Sequence, residues 1–179
     1  MITFQKIRWK NFLSTGDHWS EIDFQGNTTN LVVGTNGSGK STMLDALTFS
    51  LFNKPFRKVN KSQLINATNE KDCVVEVEFN VNNKNYLVRR SIKPNKFDIE
   101  VDGNLMHKES DDRINQKILE ENILKVNYKS FTQIVILGSS SFVPFMQLST
   151  SNRRDVIEDL LDIRIFSAMN TLILSLIHI

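Results

Sequence analysis

Apolar and polar residues alternate from the start of the chain. From Ile2 to Trp9 the period is two, the spacing of a half-buried strand. A turn at Ser14-Thr15-Gly16-Asp17 and a second run from Trp19 to Phe24 predict an antiparallel pair, and Gly26-Asn27 marks another turn. Leu31-Val32-Val33 reads as a short buried strand. Met43, Leu44, Leu47, Leu51 and Phe52 then recur at helical spacing, with no Gly or Pro between them. Alternation returns from Val74 to Asn80 and from Tyr86 to Ile92, which predicts a hairpin joined through Val81-Asn82-Asn83-Lys84-Asn85. A second hairpin is predicted from Phe97 to Val101 and at Leu105-Met106, around Asp102-Gly103. Ser110, followed by Asp111 and Asp112, predicts a helix start, with Ile114, Ile118, Leu119 and Ile123 as its buried stripe. The apolar run from Phe131 to Leu137 reads as a buried strand. Ser149 or Ser151 then caps a last helix on which Val156, Leu160 and Ile163 share a face. No internal repeat or low-complexity stretch interrupts this α/β pattern.

Composition narrows the class without naming a function. The chain has 179 residues, 40% hydrophobic and 23% charged, enough for one domain with its own core and too apolar for wholesale disorder. A single cysteine, Cys73, excludes a disulfide scaffold and a cysteine-built zinc site, and its place beside a Val-rich run makes it a core residue. No apolar run approaches the ~20 residues of a membrane helix and no signal peptide is present, so a soluble, cytoplasmic protein is expected. A net charge of +2 is not that of a nucleic-acid coat protein. His18, His107 and His178 lack metal-ligand spacing, and no Ser/His/Asp or Cys/His arrangement can be argued.

One motif carries chemistry. Gly34, Gly39, Lys40 and Ser41 satisfy the phosphate-loop pattern G-x-x-x-x-G-K-[ST], with Asn36, Gly37 and Ser38 inside the loop. Four fixed positions of this kind arise by chance in only roughly 0.6% of chains of this size, and the predicted strand–loop–helix context tightens that further. Glycines let successive N–H groups converge on phosphate oxygens. Lys40 is positioned for the β- and γ-phosphates of ATP, the Ser41 hydroxyl for Mg²⁺, and Thr42 for the α- and β-phosphates at the positive end of the following helix. Two β segments precede the loop, an arrangement that resembles an ABC-type ATPase head more than a small-molecule kinase.

Lys10-Asn11-Phe12-Leu13-Ser14, GTNGSGKSTMLDALTFSLFNKPFR and FTQIVILGSSSFVPFMQLSTSNRRDVIEDLLDI together resemble the SMC-like DNA-repair ATPases. The resemblance runs from Met1 to about Phe166. It implies the N-terminal lobe of an ABC-type P-loop ATPase head, with an antiparallel β subdomain, over residues 1–163. A coiled-coil helix would start over 164–173. Residues 174–179 read as the translation of CTG-TCT-CTT-ATA-CAC-ATC, a transposon-type adaptor end; a genuine amphipathic tail is the alternative. The family carries its signature and Walker B strand in a second lobe, and neither is found here: Leu148-Ser149-Thr150-Ser151 lacks glycines, and no apolar strand ends in Asp-Glu. The resemblance further implies a second ATPase head as homodimer partner, a metallophosphoesterase-type nuclease subunit, and DNA ends.

Site residues follow from the same likeness. Ile65, Asn66 and Ala67 are expected beside the adenine, and Ser14 near the nucleotide next to Leu13, where several relatives have arginine. Cellular relatives place a metal-sensing glutamine after the strand that here ends in Gly138, so Ser139 or Ser140 stands in its position. Lys54, Arg57, Lys58 and Lys61 form one basic cluster, and Arg89, Arg90, Lys93 and Lys96 another. Both are read either as DNA-backbone contacts or as solvated faces. Arg153 and Arg154, at the start of the last helix, would lie where head motion is transmitted. Two other readings stay open: a small P-loop kinase, and a tethering module switched by nucleotide without turnover.

Overall fold

The computed structural model describes residues 2–27, 29–106, 111–136, 145–161 and 163–177. They fall into two units, Met1–Leu119 and Glu120–Ile179.

The first unit is built on a six-stranded antiparallel sheet in the order β2-β1-β3-β4-β5-β6. Its strands are β1 (Ile2–Lys10), β2 (Ser20–Asp23), β3 (Cys73–Val81), β4 (Lys84–Ile92), β5 (Lys96–Val101) and β6 (Asn104–Leu105). Both predicted hairpins form. Each turns through two residues at positive φ, Asn82-Asn83 (50° and 64°) and Asp102-Gly103 (49° and 79°), the backbone that matches the right-handed twist of paired strands. The first turn is therefore shorter than the predicted five-residue loop.

Period-two patterning decides what the sheet covers. Cys73, Val75, Val77 and Phe79 of β3 are fully buried, as are Ile7 of β1 and Val88 of β4. Against them packs helix α1 (Thr42–Phe52), which buries Phe49 and Leu51 completely. Each such side chain stabilises the fold by about 1.5–3 kcal/mol. Helix α1 ends at Asn53, whose left-handed φ of 57° stops it. Among its predicted apolar stripe, Met43 and Leu44 are only half-buried, while Asp45, Thr48 and Ser50 are buried.

On the other sheet face, Glu76 of β3 stands opposite Arg8 of β1 and Arg89 of β4, and both guanidinium groups bond its carboxylate. That pairing is how an acid comes to be only 3% exposed on the polar side of a sheet.

Further sequence expectations are corrected by the structure. Residues 31–33 form no strand, and Leu31 and Val33 are 87% and 80% exposed, because no described strand lies beside them to pair with. Ile114 of helix α2 (Asp112–Ile118) is exposed while Asn115 is buried, its amide donating back to the Asp111 carbonyl at 3.3 Å. Asp111 caps α2 by accepting from the Arg113 amide at 2.8 Å; Ser110 lies outside the described residues. A wide helical turn over Leu119–Leu124 follows, burying Leu119, Ile123 and Leu124.

The second unit departs from expectation as well. Where a strand was expected, helix α3 (Tyr128–Ile134) forms. Asn127 caps it, accepting from the Ser130 amide at 2.8 Å, and only Ser130 and Phe131 are buried within it. A continuous apolar run fits helix and strand alike, and the cap decides. Helix α4 (Thr150–Leu160) is capped by Ser149, as one of two predicted alternatives. Of its predicted face only Val156 is buried; Leu160 is 65% exposed and Ile163 lies past the helix end. Ser130 bonds Asp159 and Lys129 pairs with Asp155 at 3.0 Å, which ties α3 to α4. Helix α5 (Arg164–Ile177) carries exposed Ile165, Phe166, Leu172 and Leu176.

Candidate functional site

The site is built where the loop preceding α1 meets two crossing segments. At Gly37 and Gly39 the backbone takes φ of 86° and 93°, conformations open to glycine at little cost. A Cβ on Gly34 would lie 2.5 Å from the Ser38 hydroxyl, so the loop closes tightly there. The Thr42 amide donates to Gly39 at 2.9 Å and that of Ser38 to Thr35 at 3.2 Å. Among the described residues, the amides of Gly37, Gly39, Lys40 and Ser41 donate to no carbonyl. Lys40 folds over this loop, its Nζ donating to the Gly34 and Thr35 carbonyls at 2.6 and 2.7 Å. Ser41 occupies the cap position of α1 without a capping bond, so its exposed hydroxyl is uncommitted.

The segments around Phe12 and Ile65 form the facing wall. They bridge as antiparallel partners, with the Leu13 amide on the Leu64 carbonyl at 2.6 Å and that of Asn66 on Asn11 at 2.9 Å. Asn66 spends its whole side chain on this junction, donating to Thr15 and Leu13 and accepting from the amides of Thr68 and Asn69. Buried Asn11 does the same from the other side, bonding Asp17, Asp72 and Asn69.

A cavity of about 460 Å³ results, within the range of about 300–1,000 Å³ usual for small-molecule sites. It is lined by Asn36, Gly37, Gly39, Lys40, Ser41 and Thr42 on the loop side, and by Leu13, Ser14, Gln63, Ile65 and Ala67 opposite. Ser14, Ile65 and Ala67 are thus brought to the phosphate loop. Asn66 faces a neighbouring cavity of about 380 Å³ with Glu70 and Lys93.

Arg57 also lines the main cavity, which places one member of the first basic cluster at the loop. The sequence reading missed its partner: Asp45, fully buried one turn into α1, accepts from the Arg57 amide at 2.9 Å and its Nε at 2.6 Å. The available signal was a lone acid inside the apolar helix TMLDALTFSLF. Lys58 and Lys61 are exposed; desolvation, then the charge of Arg90, holds the Lys61 ammonium below its ordinary pKa. Lys54 is exposed as well.

The second cluster divides. Arg90 is 5% exposed, bonded to the Ser50 carbonyl and Gln116, so it offers no surface for DNA and that expectation is corrected. Its burial follows from lying on the α1 side of β4. Arg89 faces solvent in part, but Glu76 and Glu100 hold it, and its pKa is raised first of all by the hydrogen bond to Glu76. Ser139 and Ser140 lie outside the described residues, as do His107 and His178; His18 is exposed. Arg154 reaches Glu158 at 4.0 Å along α4. Cys73 is buried, which pushes its thiol pKa up to about 12. Among the described residues no group of three His, Cys, Asp or Glu could hold a metal, and no helix is long and apolar enough to cross a membrane.

The profile of the AAA domain family matches residues 6–169. The chain is 41% identical over 167 residues to exonuclease subunit 2 of Enterobacteria phage T4, covering 93% of this chain and 30% of that protein. Exonuclease subunit 2 of Escherichia phage RB69 is 42% identical over 165 residues, with 92% and 29% covered. The DNA double-strand break repair Rad50 ATPase of Thermoplasma volcanium is 27% identical over 165 residues, with 89% and 18% covered. The chain therefore spans about 30% of the length of the phage relatives it matches. A solved structure from work on ATP-driven dimerization and DNA-stimulated activation of SMC ATPases superposes with a TM-score of 0.60 at 22% identity, over 88% of this chain and 99% of that one. The fold is that of an α/β, ABC-type P-loop ATPase head, N-terminal lobe, with its antiparallel sheet.

Proposed function

The chain belongs to the AAA domain family, and on that premise we propose that it is the N-terminal, ATP-holding half of a DNA double-strand-break repair or recombination ATPase. One observation carries the reading. The Lys40 ammonium, the uncommitted Ser41 hydroxyl and the undonated loop amides all border one cavity.

The residues present fit Mg-ATP. Lys40 now rests on two carbonyls, weak partners that a β- or γ-phosphate oxygen outbids by carrying full charge. The amides of Gly37, Gly39 and Lys40 supply donors that cost no reorganisation, and α1 adds its positive end. Ser41 would ligate Mg²⁺, which neutralises charge on the bridged phosphate oxygens when bound. Ile65 and Ala67 give an apolar wall of the kind a nucleobase stacks on, and Ser14 a hydroxyl beside it.

Turnover needs more than this half-site. Charge developing at the γ-phosphate must be met from its far side, and on this reading a second lobe would supply that across a closed head pair. ATP-driven closure would then control DNA-end binding and a metallophosphoesterase-type nuclease subunit in the cytoplasm, that of the host if the chain is phage-encoded. The test is association of the full-length protein, with Mg-ATP, with duplex ends and with such a subunit. Capture of both is expected, and capture of neither would count decisively against the reading.

A further inference from the structure

Asp45 and Arg57 make a buried-to-surface pair at the cavity that none of the phosphate-loop residues explains. Asp45 is 0% exposed, whereas the Arg57 side chain is 45% exposed. A carboxylate in an apolar helix is costly unless paired, and this one is met on both oxygens. Oδ1 accepts from the Arg57 main-chain amide at 2.9 Å, which fixes the segment. Oδ2 accepts from Nε at 2.6 Å and lies 2.6 Å from one terminal nitrogen, which fixes the plane of the guanidinium.

That plane has two edges. One is spent on Asp45; the outer edge, with the other terminal nitrogen, has no side-chain partner among the described residues. Arg57 nevertheless lines the cavity together with Lys40, Ser41 and Thr42. Side chains on a helix lean toward its N-terminus, so Asp45 lies over the turn that starts at Thr42 and presents Arg57 there. A planar, permanently charged fork with one edge pinned and one edge free is a ready hydrogen-bond donor to phosphate oxygens.

We propose that Arg57 binds, through its outer edge, the nucleotide phosphate nearest the first turn of α1, and that Asp45 is the positioning residue that holds it there. This rests on the phosphate-loop reading. The phosphate concerned is shared by ADP and ATP, whereas of the two phosphates that Lys40 serves the γ-phosphate belongs to ATP alone. The Asp45 charge keeps the guanidinium from folding onto the loop carbonyls as Lys40 does.

The test is equilibrium titration of this chain with fluorescent Mg-ADP and Mg-ATP. Arg57→Ala is expected to weaken both by the same factor, about tenfold or more, and Lys40→Ala to weaken ATP more than ADP. Asp45→Asn keeps the shape and one acceptor; it is expected to weaken both nucleotides when Arg57 is present and to add nothing in an Arg57→Ala background. A purely structural role would lower affinity equally in both backgrounds and would overturn the assignment of Asp45. If Asp45→Asn does not fold, Arg57→Lys replaces it: lysine keeps the charge without the fork, so affinity between wild type and Arg57→Ala supports the proposal and affinity equal to wild type overturns it. Wild-type chain that binds while Lys40→Ala does not, with Arg57→Ala indistinguishable from wild type, overturns this inference alone. Failure of the wild type to bind either nucleotide removes the phosphate-loop reading itself.

Discussion

The guanidinium carbon of Arg90 stands 3.7 Å from the centroid of the Phe97 ring, directly across the β4–β5 pair. Its Nε donates to the Ser50 carbonyl at 3.0 Å and a terminal nitrogen to Gln116 at 2.6 Å, so one cation joins α1, the sheet and α2. Arg90→Ala is expected to lower unfolding free energy by about 2–4 kcal/mol, since a ring face and a carbonyl lose a desolvated partner. Arg90→Lys recovers only part, because an ammonium lacks the fork. Urea denaturation reads both.

Glu76 gives the second prediction. Glu76→Gln leaves Arg8 and Arg89 facing one another across a neutral amide, and about 1–2 kcal/mol of stability is expected to go, discounted because both arginines are partly exposed. The pKa of Arg89 is raised in the fold, so its contribution is complete below its unfolded value and disappears only as pH climbs through the higher folded one. Thermal melts of wild type against the variant should therefore differ by a constant amount from pH 6 to pH 10.

Cys73 predicts an alkaline slope. Its folded thiol titrates near 12 against an ordinary 9.0, so between those values the unfolded chain has released a proton that the folded chain keeps. Stability then falls as pH rises across that window, by about 1.4 kcal/mol per pH unit from this group. Cys73→Ala should lose that component of the slope, and a thiol reagent should label the wild type only on unfolding.

Two loop glycines should differ in kind. Gly39→Ala places a side chain at φ 93° and is expected to cost about 1–3 kcal/mol while distorting the phosphate loop. At Gly34 the added carbon clashes with the Ser38 hydroxyl, which can rotate away, and meets Ser38 Cβ and Lys40 Cγ at ordinary contact distances of 3.5 and 3.7 Å, so Gly34→Ala should be milder. Melting temperature and nucleotide affinity, taken together, rank them.

What could be read from sequence followed physical strength of signal. Both hairpins are legible in the period-two runs, although the first turn is the Asn82-Asn83 pair inside the five residues read as its loop, and the tight glycine-containing loop before α1 is legible in its spacing. Residues 31–33 misled because an apolar triplet signals burial without saying which strand would cover it. The run from Phe131 misled because continuous apolarity has no period, and the deciding feature was the Asn127 cap. Proximity in sequence groups Arg57 with surface cations, while its placement depends on Asp45, twelve residues earlier and buried. Arg90 departs from both readings of its cluster because charges adjacent in sequence alternate between faces once they lie on a strand.

The central claim is tested most directly by titrating the wild-type chain and Lys40→Ala with Mg-ATP, following heat of binding and then phosphate release. Saturable binding by the wild type, at least tenfold weaker in Lys40→Ala, with no phosphate release above that variant, is the expected result. Equal affinity in the two proteins, or turnover by the wild-type chain without a second lobe, would contradict the account.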